Sequence, residues 1–246
     1  MDALIVVPAY NESSNLSGVL QGLVETCSSF ADILVVDDGS VDGTPRIAGG
    51  FPVQVVSHPW NMGYGAALQT GYRYALLQGY SYVVQFDADG QHDPRNVIAI
   101  LQELARRPSD LVIGSRYRGD PLFRAGIVKS VAVSVFRSLI LLFTRQRVSD
   151  PTSGIRGLSR RMFSFYSRTG QFPKDFPDAD FLVDALLRRF RMAEVAVNHL
   201  PRRRGRSMHA GVRPLFYMMK VMLNMLMIVG KHAVTRGSTS YEEDPI

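Results

Sequence analysis

The first hundred residues alternate short apolar runs with helically spaced segments, and each apolar run stops at a cluster of small, acidic or amide residues. Residues 3–8 read as a strand. Residues 13–28 carry Leu16, Val19, Leu20, Leu23 and Val24 at helical spacing, with Ser13 or Ser14 as N-cap. Strands follow at 32–37 and 53–57, helices at 42–49 and 63–78, and a fourth strand rests on Tyr82, Val83, Val84 and Phe86. This βα order predicts a mostly parallel sheet with helices on both faces. Ligands of such sheets bind beyond the carboxyl ends of the strands.

The polar residues fall at those ends. Pro8-Ala9-Tyr10-Asn11-Glu12 follows the first strand, Asp37-Asp38-Gly39-Ser40 the second, and Asn61-x-Gly63-x-Gly65 the third. Asp87 and Asp89 follow the fourth. Two carboxylates one residue apart at a strand's end can turn toward one hard cation, Mg²⁺ or Mn²⁺, which would bridge a diphosphate. Each cluster alone also reads as an ordinary turn or helix cap. Four of them in register at one sheet edge point to a ligand crevice.

Charge divides the chain. Residues 1–100 hold 3 Lys and Arg against 10 Asp and Glu, whereas 101–246 hold 25 against 12, for a net charge of +6. The acidic part suits cation-assisted binding of a phosphorylated ligand, and the basic part suits direct contact with phosphates. The 246 residues, 46% hydrophobic, can bury one large core or two small ones. The single cysteine, Cys27, excludes an intramolecular disulfide framework and fits a reducing compartment. The opening residues, with Asp2 and Pro8, do not read as a signal peptide.

Beyond residue 94 the pattern predicts a helix at 96–107 and a strand at 111–114 that delivers Ser115 and Arg116. The planar fork of Arg116 matches phosphate oxygens, although a surface arginine reads equally well. Arg118 and Arg124 extend the same basic loop. Residues 127–145 are amphipathic. Residues 212–231 show a narrow polar stripe, Arg213, Tyr217, Lys220, Asn224 and Lys231, on a Met-rich apolar surface. Lys220 and Asn224 near the middle favour a helix lying in a membrane interface over one that spans; a core or oligomer-interface helix is the alternative. A strand at 194–200 leads into Arg203, Arg204 and Arg206, which with Lys129 are candidates to hold an acceptor phosphate. The basic cluster lacks the interleaved aromatics or module of a nucleic-acid binder.

The segments PAYNE (8–12), VVDDGSVDGT (35–44), NMGYGAALQTGYRYA (61–75) and FDADGQHDP (86–94) resemble the donor-site motifs of family 2 inverting glycosyltransferases. Gly114-Ser115-Arg116, Asp150-Pro-Thr-Ser-Gly-Ile-Arg156 and Arg203-Arg204-Gly205-Arg206-Ser207 resemble its polyprenyl-phosphate, dolichyl-phosphate mannosyltransferase-like branch. The resemblance implies a GT-A (nucleotide-diphospho-sugar transferase) domain over 1–210, an interfacial helix over 211–232 and a disordered tail over 233–246. It implies that Pro8, Tyr10, Glu12, Val36, Asp38, Asp87, Ala88 and Gln91 meet a nucleotide sugar of GDP-mannose or UDP-glucose type, with Asp87 and Asp89 at the metal. Asp89, Arg116 and Asp178 are the residues expected to carry the reaction. Asp178 stands where many members place a Glu-Asp base, but the Glu is absent and Pro177 precedes it. A phosphate acceptor is already anionic and needs no base, whereas a hydroxyl does. The leading expectation is therefore an inverting hexosyl transfer to a dolichyl or undecaprenyl type of polyprenyl phosphate at the cytoplasmic membrane face, with a small membrane protein as a further partner. The alternatives are a hydroxyl acceptor with Asp178 as base, and a non-catalytic nucleotide-sugar-binding subunit.

Overall fold

The computed structural model describes residues 2–119, 126–168, 170, 172–173, 177–200 and 213–238. In chain order the elements are β1 (Ala3–Ala9), α1 (Leu16–Cys27), β2 (Asp32–Asp37), α2 (Thr44–Ala48), β3 (Gln54–Ser57), α3 (Tyr64–Gln78), β4 (Tyr82–Gln85), α4 (Arg95–Arg106), β5 (Leu111–Ser115), α5 (Arg116–Gly119), α6 (Ile127–Thr144), β6 (Arg156–Ser159), α7 (Arg160–Tyr166), α8 (Ala179–Leu187), β7 (Met192–Ala196) and α9 (Arg213–Ser238). The strands form one seven-stranded sheet in the order β3-β2-β1-β4-β6-β5-β7. All neighbours pair parallel except β6, which is antiparallel to both β4 and β5.

All seven residues of β1 are buried because helices cover both faces of the sheet. Side chains alternate along a strand, so β1 feeds two cores. Leu4 and Val6 pack with residues of α3, α6, α7, α8 and α9, among them Leu68, Phe136, Phe163, Phe181 and Met225. Ile5 and Val7 pack with α1 and α4 through Leu16, Leu20, Val97 and Ile100. The register pairs Ala9 with Asp37 and Asp37 with Ser57, so the first three strands end level. Because β6 is antiparallel, its first residue, Arg156, lies opposite Gln85 at the carboxyl end of β4. The strands thus deliver their polar tips, and the loop entering β6, to one edge.

β6 and α7 were not foreseen, and β7 covers Met192–Ala196 rather than 194–200. The residues after it run beside the acidic loop: Leu200 N–H donates to the Gln91 carbonyl at 2.8 Å, and Asn96 exchanges hydrogen bonds with the Asn198 main chain at 2.8 and 3.1 Å.

Helix α9 packs on α8. Val221 and Met225 are buried, Asn224 donates to Asp180 at 3.1 Å, and His232 lies 3.1 Å from Asp184. Its expected polar stripe therefore splits, with Asn224 facing inward and Lys220 and Lys231 exposed. The other side exposes Met219, Leu223, Leu226, Met227 and Val234. Residues 233–238, assigned from sequence to the tail, continue the helix. Among the described residues no helix is long and apolar enough to cross a membrane.

Candidate active site

Asp87 follows β4 and is closely surrounded by other side chains. Its Oδ1 accepts a hydrogen bond from the Tyr64 hydroxyl at 2.7 Å, and His92 Nε2 lies 3.2 Å from Oδ2. Burial alone would raise its pKa, but His92, Tyr64 and the charge of Arg156 outweigh burial and hold it below the usual carboxylate value. A Cβ at Gly154 would lie 2.0 Å from Oδ2, so only glycine lets the loop before β6 close on this carboxylate. Asp89 accepts from Gln91 N–H at 3.0 Å within the same turn. Among the described residues no group of three or more His, Cys, Asp or Glu is placed to hold a metal ion. Asp87 and Asp89 carry carboxylate oxygens of the kind that Mg²⁺ or Mn²⁺ takes, an ion that usually keeps waters or substrate phosphates in its other positions, while the Gln91 side-chain amide lies 3.3 Å from His199 Nε2.

The loop before β6 ties the site together. Arg116 is 5% exposed, and its guanidinium grips Asp150 through two hydrogen bonds of 2.7 Å and reaches Thr152 at 2.9 and 3.0 Å. Arg116, expected from sequence to meet a phosphate, thus directs Nε and Nη2 to the protein's own loop. These donors hold the loop, because Asp150 is fully buried beside them and a buried charge needs its partner. Ser153 Oγ donates to the Gly114 carbonyl at 2.6 Å, which fastens the next residue to β5. Arg156, 1% exposed, donates to the Ser153 carbonyl at 2.8 Å and the Pro177 carbonyl at 2.5 Å, and reaches Asp178 Oδ1 at 3.5 Å.

Asp178 is the N-cap residue of α8 by position, without a side-chain capping bond. Burial pushes its pKa up to about 6 against the pull of Arg156, with Asp180 and Asp87 adding repulsion. Asp87, Asp178 and Arg156 therefore form one electrostatic unit. Sequence reasoning passed over Tyr64, His92, Gly154 and Arg156, although each lies inside a segment whose other members drew attention.

On the nucleotide side, Tyr10 is 45% exposed at the rim, and Glu12 is half-buried with its carboxylate accepting from Asn15 Nδ2 at 2.8 Å. Asp38 accepts from Met62 and Gly63 N–H, both at 2.8 Å, and pairs with His58 at 2.7 Å. Much of its acceptor capacity thus shapes the loop entering α3. Val36 lies wholly in the core, registered between Pro8 of β1 and Val56 of β3; Pro8 and Ala88 are likewise buried. Lys129 falls on α6, where its side chain is not described, and Arg124, Arg203, Arg204 and Arg206 lie outside the described residues.

The chain and its fold have known relatives. The family model for Glycosyl transferase family 2 matches residues 4–167. The chain is 31% identical over 221 residues to the polyprenol monophosphomannose synthase of Mycolicibacterium smegmatis, which covers 85% of this chain and 81% of that protein. It is 40% identical over 121 residues to the undecaprenyl-phosphate mannosyltransferase of Micrococcus luteus, a match that spans 47% of this chain and 49% of the relative. Among solved structures, the glucosyl-3-phosphoglycerate synthase of Mycobacterium tuberculosis in complex with Mn²⁺ and UDP-glucose superposes with a TM-score of 0.71 at 24% identity, covering 93% of this chain and 79% of that one. That likeness establishes the GT-A fold.

Proposed function

The chain belongs to glycosyltransferase family 2, and on that premise we propose that it transfers a hexosyl group from a nucleotide diphosphosugar to a polyprenyl phosphate, with inversion, while resting on a membrane surface. Membership of this enzyme family sets aside the non-catalytic subunit. The observation that carries the donor half is Asp87, held by Tyr64 and His92 and closed on by Gly154 at the end of β4. The acceptor half is supported by the two relatives named for polyprenol and undecaprenyl phosphate.

Asp87 and Asp89, with Gln91, would hold a divalent ion, which when bound would supply charge neutralisation for the departing diphosphate. The chain's own residues do the rest. Tyr64 and His92 fix the Asp87 carboxylate, and Arg156 offsets the charge that Asp87 and Asp178 bring together. Arg116 acts through Asp150 by holding the loop that closes the pocket. In the transfer, an acceptor phosphate oxygen attacks the anomeric carbon from the face opposite the nucleotide. The carbon–oxygen bond to the diphosphate breaks, its electron pair leaves with the nucleoside diphosphate, and the configuration inverts. The arginines at 203, 204 and 206, with Arg124 and Lys129, are assigned to the acceptor phosphate from their sequence setting. The exposed stripe of α9 and the exposed Val131, Leu141 and Leu142 of α6 are assigned to the lipid surface, on the cytoplasmic face.

A second reading has an observation of its own. A carboxyl with a pKa near 6 suits general-base work at neutral pH, so Asp178 would serve a hydroxyl acceptor. Incubation with radiolabelled GDP-mannose or UDP-glucose, Mg²⁺ and polyprenyl phosphate separates the readings. Label in the organic phase supports the lipid acceptor, and label only in an aqueous product supports the hydroxyl.

A further inference from the structure

The one tryptophan of the chain, Trp60, is 67% exposed on the loop between β3 and α3, outside both hydrophobic cores. Its main chain is fixed even though its side chain is not packed. Gly39 has φ +71°, and a Cβ there would lie 2.4 Å from the Trp60 carbonyl carbon, so the loops after β2 and β3 are in direct backbone contact. On one side of Trp60, His58 N–H donates to the Asp37 carbonyl at 2.8 Å, and the His58 ring bridges Asp38 at 2.7 Å and Thr70 at 2.9 Å. On the other, Met62 and Gly63 N–H donate to Asp38.

The loop after β1 is laced to the same rim. Asn11 N–H donates to Ser40 Oγ at 2.9 Å, Val41 N–H to Asn11 Oδ1 at 3.0 Å, and Asp38 N–H to the Ala9 carbonyl at 2.8 Å. Tyr10 and Trp60 are thus two exposed aromatics on one hydrogen-bonded frame, on loops that both join the segment at Asp38 and Gly39. A wide aromatic face left in water on a rigid backbone is what a nucleobase stacks on, and such stacking tolerates any base. The apolar stripe of α9 belongs to a helix packed on α8, so the rim calls for an explanation of its own.

We infer that Trp60 forms an outer wall of the nucleobase subsite and stacks on the base of the nucleoside diphosphate that the acidic crevice holds. The inference rests on the nucleotide-sugar reading above and adds a residue outside the segments that suggested it. Because Trp60 is the sole tryptophan, its emission reports on this position alone.

The full chain is titrated in MgCl₂ with GDP, UDP and inorganic pyrophosphate, with fluorescence and calorimetry in parallel. A saturating change in emission with GDP or UDP, absent with pyrophosphate, supports the inference. Trp60→Ala is expected to weaken nucleotide binding roughly 5- to 150-fold, the range that loss of one base–aromatic stack gives. Trp60→Phe should recover most of that loss, and the KM for nucleotide sugar should rise more than kcat falls. Calorimetric binding with an unresponsive Trp60, or wild-type affinity in Trp60→Ala, overturns the inference and leaves the proposed function standing. No calorimetric binding of either nucleotide overturns both. A blue shift on phosphatidylglycerol vesicles without nucleotide assigns Trp60 to a membrane and overturns it as well.

Discussion

Gly154→Ala tests whether the acidic site depends on the loop that closes over it. The added methyl carbon would lie 2.0 Å from Asp87 Oδ2, 3.0 Å from Cγ and 3.3 Å from Oδ1. Non-bonded atoms settle near ~3.5 Å, so something must give by roughly 1.5 Å. The loop cannot retreat easily: Ser153 and Ile155 are fully buried on either side, Ser153 Oγ holds the Gly114 carbonyl at 2.6 Å, and Arg156 is anchored to Ser153 and Pro177. The carboxylate is the softer party, and it must rotate away from Tyr64 and His92. Losing those two hydrogen bonds to a charged group costs about 3–6 kcal/mol, which at ~2–4 °C per kcal/mol lowers the Tm by roughly 6–24 °C.

The functional loss should be larger. Mg²⁺ demands oxygens near ~2.1 Å in strict geometry, and a misplacement of ~1 Å in a reacting centre can lower the rate about 100-fold. The expected phenotype is a folded protein by circular dichroism, with Mn²⁺ affinity weakened in an electron-paramagnetic-resonance titration and transfer reduced about 100-fold. Wild-type Mn²⁺ affinity and turnover in Gly154→Ala would refute the reasoning, since both Asp87 and the loop would then have relaxed at no cost to the site.

Further predictions follow from the same contacts. Asp150→Ala strands the buried Arg116 guanidinium and should cost about 3–5 kcal/mol in urea unfolding, far more than a surface ion pair would. Asp178 has a folded pKa raised from 3.8 to about 6, so the folded state binds its proton more tightly than the unfolded chain does. Its contribution is fully present below the unfolded value and is lost as pH rises through about 6; Asp178→Asn should remove that slope from the stability curve between pH 4 and 7. Replacing Leu223 and Met227 together by Ser on the exposed stripe of α9 should weaken sedimentation with anionic vesicles while unfolding in urea stays within ~0.5 kcal/mol of wild type.

The parallel half of the sheet was legible because β1, β2 and β4 are buried on both faces and read as continuous apolar runs. The antiparallel strand β6 was not. Its sequence, RGLS, offers a single large apolar residue, and it becomes a strand only because β4 and β5 pair with it from both sides. Its glycine, Gly157, sits where a Cβ would lie 2.3 Å from Ile100 and 2.8 Å from Leu104, so helix packing selects a residue with no strand signal of its own. In the site, the place of Asp87 and Asp89 just beyond β4 was legible, whereas the destination of Arg116 was not. Its partner Asp150 lies 34 residues away, and no local pattern separates an arginine aimed at a ligand from one aimed at a buried carboxylate. Asn224 and His232 are similar: helical periodicity grouped Asn224 with the exposed lysines, but Asp180 and Asp184 on α8 draw both residues inward.

The two acceptor readings demand opposite charges on Asp178. Arg156 serves both Asp87 and Asp178, yet Asp87 is held below the ordinary carboxylate range while Asp178 is pushed up to about 6, so of the two Asp178 is the carboxyl nearer to taking up a proton. A phosphate monoester arriving beside it adds like charge and raises it further. The neutral carboxyl could then donate a hydrogen bond to a phosphate oxygen, and the complex would take up a proton as it forms. A hydroxyl acceptor requires the reverse, an ionised Asp178 ready to receive the proton. Ionisation of the phosphate itself, with a pKa near ~6, gives the same rising pH–rate profile as a carboxylate base, so the profile of the wild type does not discriminate. The profile of Asp178→Asn does: a neutral amide preserves both turnover and the rise through about pH 6 if the acceptor is a phosphate, and abolishes turnover if Asp178 must carry the proton away.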